Sequence, residues 1–343
     1  MNDIAVSIIV PVYNAERYIE RCACSLFEQT LDNTEYLFVN DCSEDKSMDV
    51  LHRVMEQYPC RVSQVKIIHH ETNKGVAVAR NTGLLHASGT YIGWVDSDDW
   101  VDCEMFDAMY KTAEITKSDI VWCDFFTCFG NEEKEWKINR QVCDEDSMAL
   151  VRGLLHGKLH GSLCNSIARR QLYIDNEIGF YPEINLMEDK LVSIKLRYYA
   201  KKCTHNPGAY YYYNRTNTES LTFSQANFDK NLNEGIASMQ SIISFLETND
   251  KGIDFTDDFV LAKLVFKDYY FHSFSLQGFH VWKRVFSEVN SYFITKSAVP
   301  FSNKIIGWLI VNDYWRTLKL CIMLRHFVKC IYRNCLKFKQ FHK

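Results

Sequence analysis

The chain has 343 residues, of which 47% are hydrophobic and 24% charged, with 14 glycines and 5 prolines. That usage excludes a disordered or linker-rich protein and leaves room for about two domains at roughly 150 residues each. The formal charge of -4 excludes a strongly basic nucleic-acid binder, yet it sums unlike parts: residues 315–343 hold eight Lys/Arg and no acid, while the rest holds 31 Lys/Arg against 43 Asp/Glu.

The first 125 residues predict alternating strands and helices. Ala5–Val12 (AVSIIVPV) is a continuous β-branched run, as a strand buried on both faces should be. The apolar run Ile4–Val12 lacks a basic n-region and runs into Pro11, so it does not read as a secretory signal. A helix capped by Asn14 follows, with Tyr18, Cys22 and Leu26 on one face. Next come a strand at Glu35–Asn40, a helix at Ser47–Tyr58 and a strand at Val65–His69. A helix at Val76–His86 with Gly89 beyond it precedes a strand at Tyr91–Val95. A helix at Cys103–Thr116 and a strand at Asp119–Phe126 complete the series, which implies βαβ units and a mostly parallel sheet.

Residues 127–230 are less regular, with a helix predicted at Met187–Ala200 and a tyrosine-rich strand at Ala209–Asn214. Residues 231–300 read as mostly helical. At 100° per residue, Leu320, Leu324, Phe327, Val328, Ile331, Cys335 and Phe338 share one helix face. Lys319, His326, Lys329, Arg333 and Lys337 share the other. Such a helix suits an anionic membrane surface, or docks its apolar side on the rest of the protein. The apolar run Ile305–Val311 is too short for a membrane span. Thirteen cysteines without a C-x-x-C pair read as buried small hydrophobes and free thiols in a reducing cytoplasm.

In a parallel sheet, ligands bind beyond the carboxyl ends of the strands. Polar clusters stand at four such ends: Tyr13-Asn14, Asn40-Asp41-Cys42-Ser43, Asn73-Lys74-Gly75 and Asp96-Ser97-Asp98-Asp99. Asp96 and Asp98 can converge on a hard divalent cation, which takes one or two carboxylates plus substrate phosphates; otherwise they form a solvated turn that caps the next helix. Asp41 can accept from a base or ribose, or can cap the following helix. Arg80 can reach a phosphate, or lie on the surface of its helix. Glu188-Asp189 complements a helix dipole, or supplies a general base. His69-His70 reads as packing or capping. Neither G-x-G-x-x-G nor G-x-x-x-x-G-K-[ST] occurs, so no Rossmann dinucleotide site or P-loop is signalled.

Four segments in this order resemble the inverting family 2 glycosyltransferases with a GT-A fold, of the bacterial cell-surface polysaccharide type. They are Ser7-Ile8-Ile9-Val10-Pro11-Val12-Tyr13-Asn14; Val39-Asn40-Asp41-Cys42-Ser43-Glu44-Asp45; Asn73-Lys74-Gly75 with Ala79-Arg80-Asn81-Thr82-Gly83; and Trp94-Val95-Asp96-Ser97-Asp98-Asp99-Trp100. The resemblance runs from Val6 to about Asp107, and a weaker match continues through Glu188-Asp189 and Tyr211–Ser220.

It implies an α/β, Rossmann-like sheet flanked by helices, with a helical C-terminal extension. Residues 1–126 would be the nucleotide-sugar half, 127–230 the acceptor half, and 231–343 a helical region ending in the basic tail at about 315–343. The implied donor site is Pro11, Val12, Tyr13, Asn14, Asp41, Asn73, Lys74, Arg80, Asp96 and Ser97. Tyr13 would lie on the base and Asp41 would bind uracil. Arg80 would support the nucleotide-diphosphate region, and Asp96 would meet ribose or the donor sugar. Asp98 would hold Mn²⁺ or Mg²⁺ on the diphosphate. Asp189 would be the catalytic base, with Glu188 as its neighbour. Asn40 and Cys42 stand where the family commonly has Asp and Gly, and the Q-x-x-R-W motif of processive synthases is absent.

The implied activity is transfer of one hexosyl- or N-acetylhexosaminyl-type sugar from a UDP-sugar to a glycan or lipid-linked saccharide, in capsule, O-antigen or exopolysaccharide synthesis. The expected location is cytoplasmic, peripheral on the inner face of the membrane, with no nucleic-acid partner. A non-catalytic nucleotide-sugar-binding scaffold and a sugar nucleotidyltransferase are the rival readings. The second would want a Gly-rich basic N-terminal loop, which Val12-Tyr13-Asn14-Ala15 is not.

Overall fold

A computed structural model describes residues 4–130, 134–137, 146–217, 228–249, 252–271, 276–295 and 301–320. The chain divides into two compact units, Met1–Gly252 and Ile253–Lys343. The first runs β1 (Val6–Val12), α1 (Ile19–Phe27), β2 (Thr34–Asn40), α2 (Ser47–Gln57), β3 (Val65–His69), α3 (Val76–His86), β4 (Tyr91–Trp94), β5 (Trp100–Val101), α4 (Met105–Thr116), β6 (Ile120–Cys128), β7 (Lys134–Lys137), α5 (Ser147–Leu155), β8 (Ser166–Arg169), α6 (Arg170–Asp175), α7 (Glu188–Tyr199), β9 (Cys203–Asn214) and α8 (Phe228–Thr248).

Among the described residues these strands form one sheet in the order β3-β2-β1-β4-β8-β6-β9-β5, with β7 on β6. β1, β2, β3, β4, β6 and β9 run one way, and β5, β7 and β8 run the other. The sheet is therefore mostly parallel, as the strand–helix alternation predicts. β1 lies at its heart: Val6, Ile8, Ile9, Val10 and Val12 are fully buried, because helices cover both faces. Gly83 of α3 brings that helix onto β1, where an added Cβ would stand 2.3 Å from Ile9 Cγ2.

At the amino ends of the strands, buried Ser7 donates to Glu35 Oε1 at 2.6 Å and accepts from the Gly89 amide at 2.7 Å. Glu35 also takes the Ser88 amide and Lys66 Nζ. These bonds hold Glu35 below its ordinary pKa against the burial that would raise it. This polar clasp secures one end of the sheet, and the other end is left for ligands.

Three local expectations need correction. The helix after β1 begins at Ile19, not at Asn14, and its N-cap Tyr18 makes no side-chain cap bond. Asn14 instead sits in the left-handed region (φ 48°), with its Oδ1 accepting from the Glu44 amide at 2.9 Å. The strand expected at Asp119–Phe126 spans Ile120–Cys128 and does not touch β4, because β8 lies antiparallel between them. The tyrosine-rich strand is longer than its tyrosines suggest, running Cys203–Asn214 parallel to β6.

The second unit contains α9 (Thr256–Phe271), α10 (Leu276–Arg284), α11 (Asn290–Thr295) and α12 (Phe301–Val311), and residues 315–320 are helical too. Its core gathers Leu264, Phe279, Trp282, Val289, Phe293, Ile306, Leu309, Ile310 and Leu318. Buried Lys267 donates to the carbonyls of Trp282 (2.6 Å) and Val285 at the end of α10, where a cation complements the helix dipole. Burial lowers the Lys267 pKa to about 7. Beyond Leu320 the amphipathic segment predicted for the tail lies outside the described residues.

Candidate active site

A cleft of about 490 Å³ opens in the first unit beyond the carboxyl ends of β1, β2 and β4. Pro11 to Asn14 line it from β1, Asp41 from β2, Asn73 from the loop after β3 and Arg80 from α3. Asp96, Ser97 and Asp98 line it from β4, and Glu188 and Asp189 from the start of α7. Residues scattered over nearly 180 positions of sequence thus meet in one cavity. Lys74 is placed differently: its side chain is exposed, and its backbone amide donates to Asp41 Oδ1 at 2.9 Å.

Asp41 is buried and organises the loop before α3. Its Oδ2 accepts from the Gly75 amide at 2.8 Å, and its Oδ1 lies 2.6 Å from His70 Nδ1. A carboxylate only accepts, so that nitrogen carries the hydrogen. His70 Nε2 meets Thr82 Oγ1 on α3 at 2.9 Å. His70 therefore ties β3, Asp41 and α3 together, a role that its place at a strand end does not reveal. Gly75 has φ +89°, and a Cβ there would lie 2.5 Å from Asn185 Oδ1. Asn185 in turn accepts from the Ala77 amide at 3.3 Å, so glycine lets the segment before α7 close on the start of α3.

The turn after β2 explains its unusual residues. Cys42 adopts φ +62°, a conformation that favours glycine. The Asn40 side chain accepts from the Ser43 amide at 2.9 Å and pairs with His69 Nδ1 at 3.1 Å. The tight turn that Gly would make is kept here with a cysteine, at a cost of roughly 1 kcal/mol. Met187, just before Glu188, also adopts a left-handed conformation (φ 60°). Strain of this kind gathers at functional sites.

The three aspartates after β4 have three environments. Asp96 is partly exposed and pairs with Arg80 Nη2 at 2.9 Å. Asp98 accepts from Asn217 Nδ2 at 2.8 Å; burial, and then Asp96, push its pKa up. Asp99 is fully buried and also lines the cleft, accepting from the Tyr211 hydroxyl and from the Asn214 amide. Burial and the other two aspartates raise it further. Asp99 thus fastens β9 to the turn, and all three aspartates line the cleft.

Arg80 is not a surface residue. Its side chain is 5% exposed, and its other terminal nitrogen bonds to Glu188. One guanidinium therefore joins the aspartate turn to the first residue of α7. Burial pushes the Glu188 carboxyl up, Arg80 opposes that, and Asp189 reinforces it. Asp189 lines the cleft beside it, with Oδ1 accepting the Lys190 amide at 2.7 Å; burial raises its pKa too, against Arg80 and His160. A carboxylate raised in this way is a stronger base near neutral pH.

Sequence reasoning missed His70, Asn185, Asn217 and His160. The last of these lines the cleft with its ring centroid 4.9 Å from that of Phe125. None of the four stands in a spacing that announces a role.

Among the described residues, no group of three or more His, Cys, Asp or Glu could hold a metal unaided. The aspartate turn nonetheless suits a hard cation. Two carboxylates two positions apart face one cavity, and that cavity is partly buried, so a cation there is weakly screened by water. Mg²⁺ and Mn²⁺ use such sites when substrate phosphates complete the ligand set.

The sequence model described as glycosyl transferase family 2 matches residues 7–176. EpsH of Bacillus subtilis, which bears a glycosyltransferase name, is 32% identical over 252 residues, 72% of this chain and 70% of that protein. The poly(ribitol-phosphate) beta-glucosyltransferase of Bacillus spizizenii is 29% identical over 209 residues, 61% of this chain and 32% of that protein. The crystal structure of S. aureus TarS 1–349 in complex with UDP-GlcNAc superposes with a TM-score of 0.68 at 20% identity, covering 92% of this chain and 90% of that one. At that identity the likeness is one of fold.

Proposed function

The chain belongs to glycosyl transferase family 2, and from that premise we propose that it transfers one sugar from a UDP-sugar to a hydroxyl of a glycan or lipid-linked saccharide, with inversion and with a divalent cation. The observation that carries this reading is the meeting of Asp96 and Asp98 with Glu188 and Asp189 across one cleft. A UDP-GlcNAc-bound structural neighbour supports the donor class, and a relative that glucosylates poly(ribitol phosphate) supports an acceptor of the cell-surface polysaccharide kind.

The donor half is 1–126 and the acceptor half 127–230. Tyr13, 48% exposed at the cleft, offers its ring to the base, and Asp41 faces the uracil. Asp96 meets the ribose or donor sugar, and Pro11, Val12, Asn14, Asn73 and Ser97 shape the pocket around them. Arg80 serves the diphosphate region through Asp96, whose carboxylate it fixes. Mn²⁺ or Mg²⁺ held by Asp98 would neutralise the charge that builds on the departing diphosphate. Asp189 takes the proton of the acceptor hydroxyl, whose oxygen attacks the anomeric carbon from the side opposite the diphosphate. The new glycosidic bond forms as the bond to phosphate breaks, and UDP leaves. Holding both substrates in one cleft supplies the orientation that this displacement needs.

The basic segment 315–343 supports attachment to the anionic inner face of the cytoplasmic membrane, where a lipid-linked acceptor is at hand. Among the described residues, no helix is long and apolar enough to cross a membrane.

A panel of UDP-sugars offered with Mn²⁺ and without acceptor identifies the donor by UDP release. Asp98→Ala should lower that release by about 10²-fold or more, the scale of removing one group that stabilises transition-state charge. Retained turnover would remove Asp98 from the site.

A further inference from the structure

The second unit presents a helix that is apolar on both sides. The inner side of α12 adds Ile306, Leu309 and Ile310 to the core. Gly307 admits the Phe293 ring, which would lie 3.0 Å from a Cβ placed there. The outer side carries Phe301, Ile305 and Trp308, within about 60° of one another on the helical wheel. They are 77%, 45% and 46% exposed. Tyr314, also exposed, stacks on Trp308 with ring centroids 5.2 Å apart, and exposed Leu320 follows. A helix that is hydrophobic all round is ordinarily covered all round, and an exposed apolar patch rimmed by polar groups marks an interaction site.

The surroundings of this face select the partner. Arg316 and Lys319, both exposed, follow Tyr314 in the sequence, and from Trp315 onward there are eight Lys/Arg and no acid. Asp313, the nearest acid in sequence, is paired with Lys283 at 2.6 Å. At eleven residues α12 is about 16 Å long, roughly half the hydrocarbon thickness of a bilayer, so it can lie in a membrane surface but cannot span it. Trp and Tyr beside aliphatic side chains, with cations adjoining, match the boundary between headgroups and acyl chains.

We propose that the Phe301–Ile305–Trp308 face of α12, flanked by Tyr314 and Leu320, inserts into the surface of an anionic bilayer. This deepens the membrane attachment proposed for the basic segment and rests on it for the electrostatic part only. Charge draws the chain to the surface, and this face holds it there by apolar burial, which salt does not screen.

The full-length protein can be floated with phosphatidylglycerol/phosphatidylcholine vesicles at low and high salt, with pure phosphatidylcholine vesicles as reference. The wild type should bind the anionic vesicles and keep part of that binding at high salt. Replacing Phe301, Ile305 and Trp308 together by Ser should lower the salt-resistant part by about tenfold or more, with circular dichroism unchanged and only a small loss of melting temperature, because none of the three belongs to the core of the unit. Replacing Lys329, Arg333 and Lys337 together by Gln should instead remove the salt-sensitive part, which keeps this proposal distinguishable from the one it rests on. The proposal is overturned if the triple Ser variant floats like the wild type at high salt, or if the wild type stays unbound. It is equally overturned if the wild type sediments as a dimer that the triple variant converts to monomer, since a second copy would then cover the face.

Discussion

Asp189→Asn should leave UDP affinity within about twofold of wild type and cut transfer to acceptor by about 10²–10⁴-fold, the range that a positioned general base contributes. The substitution keeps size and hydrogen-bonding shape, so the Lys190 amide still finds an oxygen at 2.7 Å and the start of α7 stays in place. What is lost is the lone pair that takes the acceptor proton. The pH dependence carries the same signature. Burial raises the Asp189 carboxyl above its ordinary value, and a base acts only when deprotonated. The wild-type rate should therefore fall as pH drops through that raised value, at a higher pH than an ordinary aspartate would give. In Asp189→Asn the residual rate should lack that limb. Normal turnover in the variant, measured as sugar transferred and not as UDP hydrolysed, would remove Asp189 from the role of base.

Arg80→Met is the second change with a large expected effect, and it acts first on stability. Arg80 is the cation against which both Glu188 and Asp96 are set. Removing one member of a buried ion pair costs about 3–5 kcal/mol, because the partner charge stays in a poorly solvated place. Solvent relieves part of this at Asp96, which is about a third exposed, and little at Glu188. A fall in melting temperature on the order of 10 °C is expected. Adding Glu188→Gln to Arg80→Met should recover part of it, since the orphaned charge is then gone. That recovery in a double-mutant cycle is the decisive reading. Two additive losses would mean that the pair does not act as a unit.

The strand-end side of the cleft was legible in the sequence because a parallel sheet gathers such ends at one edge. A parallel sheet sends the residue after each strand toward the same edge, so Tyr13, Asp41, Asn73 and Asp96 are neighbours in space by topology alone. The Glu188-Asp189 pair was legible as a helix start or a general base, but not its place at that edge, which depends on the left-handed backbone of Gly75 and Met187 and on the Asn185 side chain, which no periodicity encodes. His70 and Asn217 were not legible for a related reason: each bonds to an aspartate that is distant in sequence. Arg80 shows the opposite failure. Its helical position suggested a side chain free to reach solvent or phosphate, and only the fold reveals that two carboxylates enclose it.

The position of β8 has a consequence for how the chain is made. β6 cannot join β4 directly, because Ser166–Arg169 must be laid between them. During synthesis the first four parallel strands leave the ribosome with β4 unpaired on one side, and β6 emerges with no place in the sheet. Both wait for a four-residue strand made some 40 residues after β6. That short strand is the keystone of the first unit: a nascent chain halted before residue 166 presents two open strand edges to whatever chaperone or neighbouring chain meets it first.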